Sequence, residues 1–153
     1  MGRVEGKVAL ITGAARGQGR SHAVRLAEEG ADIIALDVCA AVEHNMTPPA
    51  TAEDLAATVK AVEELDRRIL AIEGDVRSQA ELDDAVAGGI AEFGHIDIVS
   101  ANAGVINYGL SETITEEQWQ TVLDVNLTGV WRTVKAVIPH LGPGASIVIT
   151  SSI

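Results

Sequence analysis

Residues 8–19 read Val-Ala-Leu-Ile-Thr-Gly-Ala-Ala-Arg-Gly-Gln-Gly, a short apolar run that breaks into a glycine-spaced loop. Eighteen residues past Gly19, a second apolar run, Ile33–Leu36, ends on Asp37. Strand, glycine turn, helix, strand and acid is an arrangement suited to an adenine dinucleotide. Gly13 can take a positive φ, so the chain can turn sharply out of the first strand. Gly17 and Gly19 lack a Cβ, which lets backbone and helix approach a pyrophosphate and the strand. A helix starting near Gly17 would aim free N–H groups and partial positive charge at that pyrophosphate. Asp37 can accept from both ribose hydroxyls of an adenosine. Read alone, the same stretch is also compatible with a glycine-rich turn that holds nothing.

Working outward, apolar runs alternate with helical patterns. Strands are predicted at 7–12, 32–37, 69–74, 96–101 and 146–150. The first helix, 17–29, carries Ala23, Leu26 and Ala27 on one face and stops at Gly30. Thr51 is the expected N-cap of a helix to about Arg67, and Ser78 of one to about Phe93, stopped by Gly94. A last helical stretch runs from about Glu116 to Leu141, as one helix or two, and Gly142-Pro143-Gly144 is expected to end it. Residues 39–50, with Pro48-Pro49, form an irregular insert. The order β-α-β-α-β-α-β-α-β with right-handed crossovers predicts an α/β doubly wound parallel sheet with strand order 3-2-1-4-5. A ligand would lie where the winding reverses, across the carboxyl ends of strands 1 and 4.

Composition narrows the classes. At 153 residues the chain is one domain by length, with 47% hydrophobic and only 3% aromatic residues, so the core is aliphatic. The formal charge of −11 leaves no basic face for nucleic acid and disfavours an acidic membrane surface. No apolar run approaches the ~20 residues that span a bilayer. Cys39 is the only cysteine, so no internal disulfide can form, and a reducing cytoplasm is the expected compartment. No base lies near Cys39 in sequence, so it reads as a loop residue. The four histidines, 22, 44, 95 and 140, lack metal-ligand spacing and read as surface or boundary residues.

The spacing Thr12-Gly13-x-x-x-Gly17-x-Gly19, rather than the common G-x-G-x-x-G, resembles that of the short-chain dehydrogenase/reductase family. Further segments carry the resemblance. Asp75-Val76 looks like the family's acid after strand three, which meets the adenine ring; by itself it is one more strand-end acid. Asn102-Ala103-Gly104 resembles the family's Asn-Asn-Ala-Gly, with Ala101 in place of the first Asn. Asn126 matches the family's active-site Asn; by itself it could be a solvent-facing helix residue. Ser152 matches the second Ser of the pair after strand five. Gly17-Gln18-Gly19-Arg20-Ser21-His22, the strand end Leu36–Cys39 and the Pro-containing insert resemble the mycofactocin-coupled, carveol-dehydrogenase-like branch. That resemblance implies NAD held tightly under the insert, and mycofactocin as an indirect electron partner.

The resemblance implies a Rossmann-type fold and hydride transfer between a small alcohol or ketone and NAD. Asn126 and Ser152 are the candidate catalytic residues. Thr12, Gly13, Arg16, Gly17, Gln18, Gly19, Asp37, Asp75, Val76, Asn102, Ala103 and Gly104 are the candidate cofactor residues. Arg16 is of a kind that attracts a 2′-phosphate, but Asp37 occupies that place. A unit charge pair 4 Å apart at an effective dielectric of 20 is worth about 4 kcal/mol, so repulsion should outweigh Arg16 and select NAD over NADP.

The family's base is a Tyr with a Lys four residues on, about a dozen residues past Ser152. The only tyrosine here is Tyr108, followed four residues on by Glu112. The expectation is an N-terminal part of an oxidoreductase, truncated after the fifth strand, with a bare sheet edge and an exposed helical face. The full form would be a homo-oligomer. The alternatives are an NAD-binding module without chemistry, or a remnant.

Overall fold

The computed structural model describes residues 2–151. Five parallel strands, β1 (Val8–Thr12), β2 (Asp32–Asp37), β3 (Ile69–Glu73), β4 (Ile96–Ala101) and β5 (Leu141–Ile149), form one sheet in the order β3-β2-β1-β4-β5. The predicted topology is therefore observed. Helices α1 (Gly17–Glu28) and α2 (Ala52–Glu63) cover one face; α3 (Gln79–Phe93) and α5 (Val130–Val137) cover the other.

Every residue of β1 is buried, as expected of a strand covered on both faces. Successive side chains point to opposite faces. Leu10 joins Ile34, Leu36, Val86, Val99 and Val137 on one side; Ile11 joins Ile33, Ala23, Ala27 and Val62 on the other. The contact face of α1 is mostly alanine, which lets it lie close to β1.

Three boundaries differ from the sequence reading. Helix α2 starts after a Thr51–Asp54 capping box as expected but stops at Glu63, not Arg67. Asp66 takes φ +57°, and Arg67 leaves the helix to pair with Asp32 at 2.8 Å. Gly142-Pro143-Gly144 does not separate helix from strand. It sits inside β5, which pairs Leu141 with Ile96 and then Ser146 with Ile98. The extra residues are absorbed as a bulge, with Gly144 at φ +85°. The helix instead ends in a 3₁₀ turn, Ile138–His140, where Pro139 cannot supply an amide to continue it.

The third difference concerns the long helical stretch. It comprises α4 (Glu116–Leu123), a π-helical turn over Asp124–Gly129, and α5. Single π turns recur at functional sites, and this one contains Asn126. Gly129 ends it, and a Cβ there would lie 2.7 Å from Val76 Cγ2, so glycine allows the helix to seat on the β3–α3 connection.

Candidate cofactor site

A cleft of about 680 Å³ runs along the carboxyl ends of the strands, within the ~300–1,000 Å³ typical of cofactor clefts. Of the expected cofactor residues, Gly13, Arg16, Gly17, Gln18, Asp37, Asp75, Val76, Asn102, Ala103 and Gly104 line it. Thr12 and Gly19 stand behind its wall.

The three glycines answer three different demands. Gly13 takes φ +68°, and a Cβ would sit 2.9 Å from Ala103 Cα. Gly19 has no Cβ because one would lie 1.9 Å from the Gly13 carbonyl oxygen. Gly17 takes φ +55° and faces open space, so its requirement is conformational and it leaves the cleft free. Thr12 joins the ends of β1 and β4: its Oγ1 accepts from the amides of Asn102 and Ala103, each at 3.0 Å. The Asn102 side chain donates back to the Thr12 carbonyl at 3.2 Å and accepts from Thr150 Oγ1 at 3.1 Å. Helix α1 has no side-chain cap. The first-turn amides have no intrahelical acceptor, and Gly17 and Gln18, which carry two of them, line the cleft.

Asp37 is buried, 7% exposed, at the end of β2. Its Oδ2 accepts from the Ala15 amide at 2.9 Å and its Oδ1 from the Cys39 amide at 3.2 Å. Each oxygen keeps a lone pair for a ligand hydroxyl. Cys39 takes φ +48° to make that turn. Burial, then the charges of Asp37, Glu73, Asp54 and Glu53, push its thiol up to about 11. It is a neutral thiol at physiological pH, not a nucleophile.

Asp75 is more committed than expected. Arg77 donates to both its oxygens, from the backbone at 2.8 Å and from the guanidinium at 2.6–3.1 Å. Burial alone would raise the Asp75 carboxyl, but the Arg77 hydrogen bonds and charge, with Arg132, hold it below the usual carboxylate range. Arg132 in turn donates to the Arg77 carbonyl at 2.6 Å, tying α5 to this corner.

Asn126 is not a free surface residue. Its Oδ1 accepts from the Val105 amide at 2.8 Å and its Nδ2 donates to the Val105 carbonyl at 2.9 Å. Asn126 thus clamps the segment after β4 along the cleft. That segment also holds the 39–50 insert. The Met46 amide donates to the Ile106 carbonyl at 2.9 Å, the Ile106 amide to Asn45 Oδ1 at 3.1 Å, and the Tyr108 amide to Met46 Sδ at 3.3 Å. Arg16 reaches Thr47 Oγ1 at 3.2 Å. The insert therefore crosses the cleft as a strap, bolted at both sides, and Arg16 is one of its bolts. Ser152 lies outside the described residues. Tyr108 is exposed and its side chain makes no hydrogen bond among them.

The short chain dehydrogenase family matches residues 7–153. The chain belongs to that family. An uncharacterised NAD-dependent oxidoreductase of Mycobacterium tuberculosis is 57% identical over 99% of this chain and 56% of its own length. The (-)-trans-carveol dehydrogenase of Rhodococcus erythropolis is 51% identical, again over 99% and 56%. Among solved structures, a carveol dehydrogenase from Mycobacterium avium in complex with NAD superposes with a TM-score of 0.97 at 55% identity, over 99% of this chain and 56% of that one. This short-chain dehydrogenase chain thus spans a little over half the length of those relatives.

Sequence reading missed three contributors to the site. Thr150 orients Asn102, while Arg20 and Thr58 brace the glycine loop from α1 and α2. Thr58 did carry a signal. It falls on the core-facing stripe Leu55–Thr58–Val62, where a polar residue must find a partner. Among the described residues no cluster of His, Cys, Asp and Glu could hold a metal, and no helix is long and apolar enough to cross a membrane.

Proposed function

We propose that this chain carries the dinucleotide half of an NAD-dependent oxidoreductase that interconverts a small secondary or cyclic alcohol and its ketone. The carrying observation is Asp37: a buried carboxylate at the end of β2 that lines the cleft, fixed by two amides and with acceptor capacity left on each oxygen. The residues fit the cofactor. Gly17 leaves space a Cβ would fill, and the amides of Gly17 and Gln18 supply donors for a pyrophosphate. Asp75 and Val76 border the adenine side, while Asn102, Ala103 and Gly104 border the path toward the nicotinamide. The M. avium carveol dehydrogenase in complex with NAD, the M. tuberculosis NAD-dependent oxidoreductase and the R. erythropolis carveol dehydrogenase support this reading.

When bound, the nicotinamide accepts or donates the hydride. The chain's own residues bind and orient. Asn126 holds Val105 against the cleft and, as the resemblance implies, supports a water-linked proton relay. Ser152 orients the substrate hydroxyl. The proton-abstracting Tyr-Lys pair of the family does not occur in these residues, so the complete active site is assigned to the longer protein. That protein is a cytoplasmic homo-oligomer with no nucleic-acid or membrane partner. The strap over the cleft favours a retained cofactor, and the resemblance to the carveol-dehydrogenase-like branch implies its indirect reoxidation through mycofactocin.

Calorimetric titration with NAD and NADP tests the reading. One NAD per chain is expected, with NADP weaker by about 100-fold or more, since each ~1.4 kcal/mol of repulsion at Asp37 is tenfold. Equal binding of the two would sink it.

A further inference from the structure

We infer that Thr58 and Arg20 are positioning residues for the cofactor loop, holding two of its carbonyls toward α2 and thereby turning the amides that follow toward Asp37 and the cleft. This rests on reading the cleft as the NAD site.

Thr58 is fully buried on α2. Its hydroxyl lies 3.0 Å from the Ala14 carbonyl oxygen and 3.2 Å from that of Ala15. The Arg20 guanidinium also donates to the Ala15 carbonyl, to the Asp54 carbonyl at 2.8 Å and to Thr58 Oγ1 at 3.0 Å, and its charge faces Asp54 Oδ1 at 3.6 Å. Because the Arg20 Nε–H occupies an oxygen lone pair, the Thr58 proton goes to a carbonyl, and the two loop carbonyls are nearer than that of Asp54 at 3.4 Å.

A trans peptide is planar, with its C=O and N–H pointing opposite ways. Once the Ala14 carbonyl is drawn onto Thr58, the Ala15 N–H of the same peptide must point away, and it meets Asp37 Oδ2 at 2.9 Å. Once the Ala15 carbonyl is drawn onto Thr58 and Arg20, the Arg16 N–H of that peptide must also point away. Arg16 lines the cleft, and its amide has no acceptor among the described residues. Two peptides are thus oriented from behind by one hydroxyl and one guanidinium. A cation near a helix N-terminus opposes the macrodipole, so Arg20 sits there only because Asp54 and three oxygens hold it. Helix α2 directly follows the strap, so the same contacts couple strap, α2 and loop.

The experiment compares Thr58→Val with Thr58→Ser, reading Ala15 amide exchange in the ligand-free protein by NMR and NAD affinity by calorimetry. In Thr58→Val, Ala15 exchange should speed by about tenfold and NAD affinity should fall by about tenfold, the scale of one lost hydrogen bond, while β1 and β4 amides keep their protection. Thr58→Ser, which keeps the hydroxyl, should stay within about twofold of wild type in both. Arg20→Ala should resemble Thr58→Val. Unchanged Ala15 exchange in Thr58→Val, or equal losses in Thr58→Ser and Thr58→Val, overturns the inference. If the unaltered protein binds no NAD, the reading of the cleft fails separately, and the exchange measurement alone decides whether the hydroxyl positions the loop.

Discussion

On the β2–β1 side of the sheet, Leu10, Ile11, Ile33 and Ile34 are all at most 1% exposed; at β5, Val148 is 55% and Ile149 51% exposed. The helices repeat the contrast. Helix α1 buries Gly19, Ala23 and Ala27 against β1, whereas α4 buries none of its residues, and Trp119, Leu127, Trp131 and Ile138 stand exposed. The difference separates two jobs. The glycine loop and Asp37 are held mainly by contacts among residues 8–58, with Thr12 also tied to the amides of Asn102 and Ala103. The β5 and α4–α5 side contributes Asn126 and Thr150 but leaves broad apolar surface uncovered within these residues. Binding geometry should therefore withstand damage on the second side and fail with damage on the first.

The harshest test of that contrast is Gly19→Ala. Its Cβ would fall 1.9 Å from the Gly13 carbonyl oxygen, a backbone atom that cannot step aside. Ordinary overpacking costs about 1–3 kcal/mol, so the expected cost is at least the upper end, with NAD binding lost in calorimetry. Gly17→Ala is the paired control. It meets no protein atom but must hold φ +55°, at about 1–2 kcal/mol, so the melt should survive while the methyl intrudes on the ligand.

Next in size is Asp37→Ala. It removes the ribose acceptor and orphans the Ala15 and Cys39 amides. Hydrogen bonds to a charged group contribute about 1.5–3 kcal/mol, so NAD affinity should drop by tens of fold, and the preference over NADP should shrink. An unchanged NAD/NADP ratio would remove Asp37 from the specificity argument.

Gly17, Gly19 and Asp37 were legible in sequence because glycine spacing and a strand-end acid are local patterns. So were the strand order and the Thr51, Ser78 and Gly94 helix ends, which local chemistry sets. What was hidden is what depends on contacts far apart in the chain. Asn126 stands out only through the family motif and by itself could be a solvent-facing helix residue; that it clamps Val105 from a π turn is not legible, because a π turn has no periodic signature. Gly142-Pro143-Gly144 read as a stop, but β4 pairing on both sides of it keeps it within β5 as a bulge. Arg16 read as an attractor for phosphate until Thr47, 31 residues away, supplied its partner. Asp75 is the local exception: Arg77, two residues on, engages both its oxygens.

Asn126→Ala sits between the two sides of the comparison. It frees one amide and one carbonyl of Val105, at about 1–2 kcal/mol if these stay buried and less where water replaces the side chain. Exchange of the Val105 amide should rise while NAD affinity falls only severalfold. A loss as deep as that of Asp37→Ala would mean that the two ends of the cleft are not independent. A smaller effect concerns pH. The Asp75 carboxyl is held low in the folded state, so its contribution is fully present above the unfolded carboxylate pKa of about 3.9 and is lost as pH falls through the folded value. Acid unfolding followed by circular dichroism should show a shallower dependence in Arg77→Gln. An identical slope would disconnect the pair from acid stability.

The smallest expected effect belongs to Leu127→Gln and Trp131→Gln, one helical turn apart on the uncovered face. Lys135 Nζ lies 5.1 Å from the Trp131 ring centroid, and an exposed contact of that kind is worth about 0.5–1 kcal/mol. Both side chains are more than half exposed, so the melt should move by about that much. NAD affinity should stay within about twofold, because no atom of either residue lines the cleft. Light scattering should change, however: removing two large side chains from an apolar patch lowers concentration-dependent self-association. If NAD affinity followed self-association downward, the cofactor loop would depend on the face that covers α5, and the independence of the two sides would be refuted from the side where it looks safest.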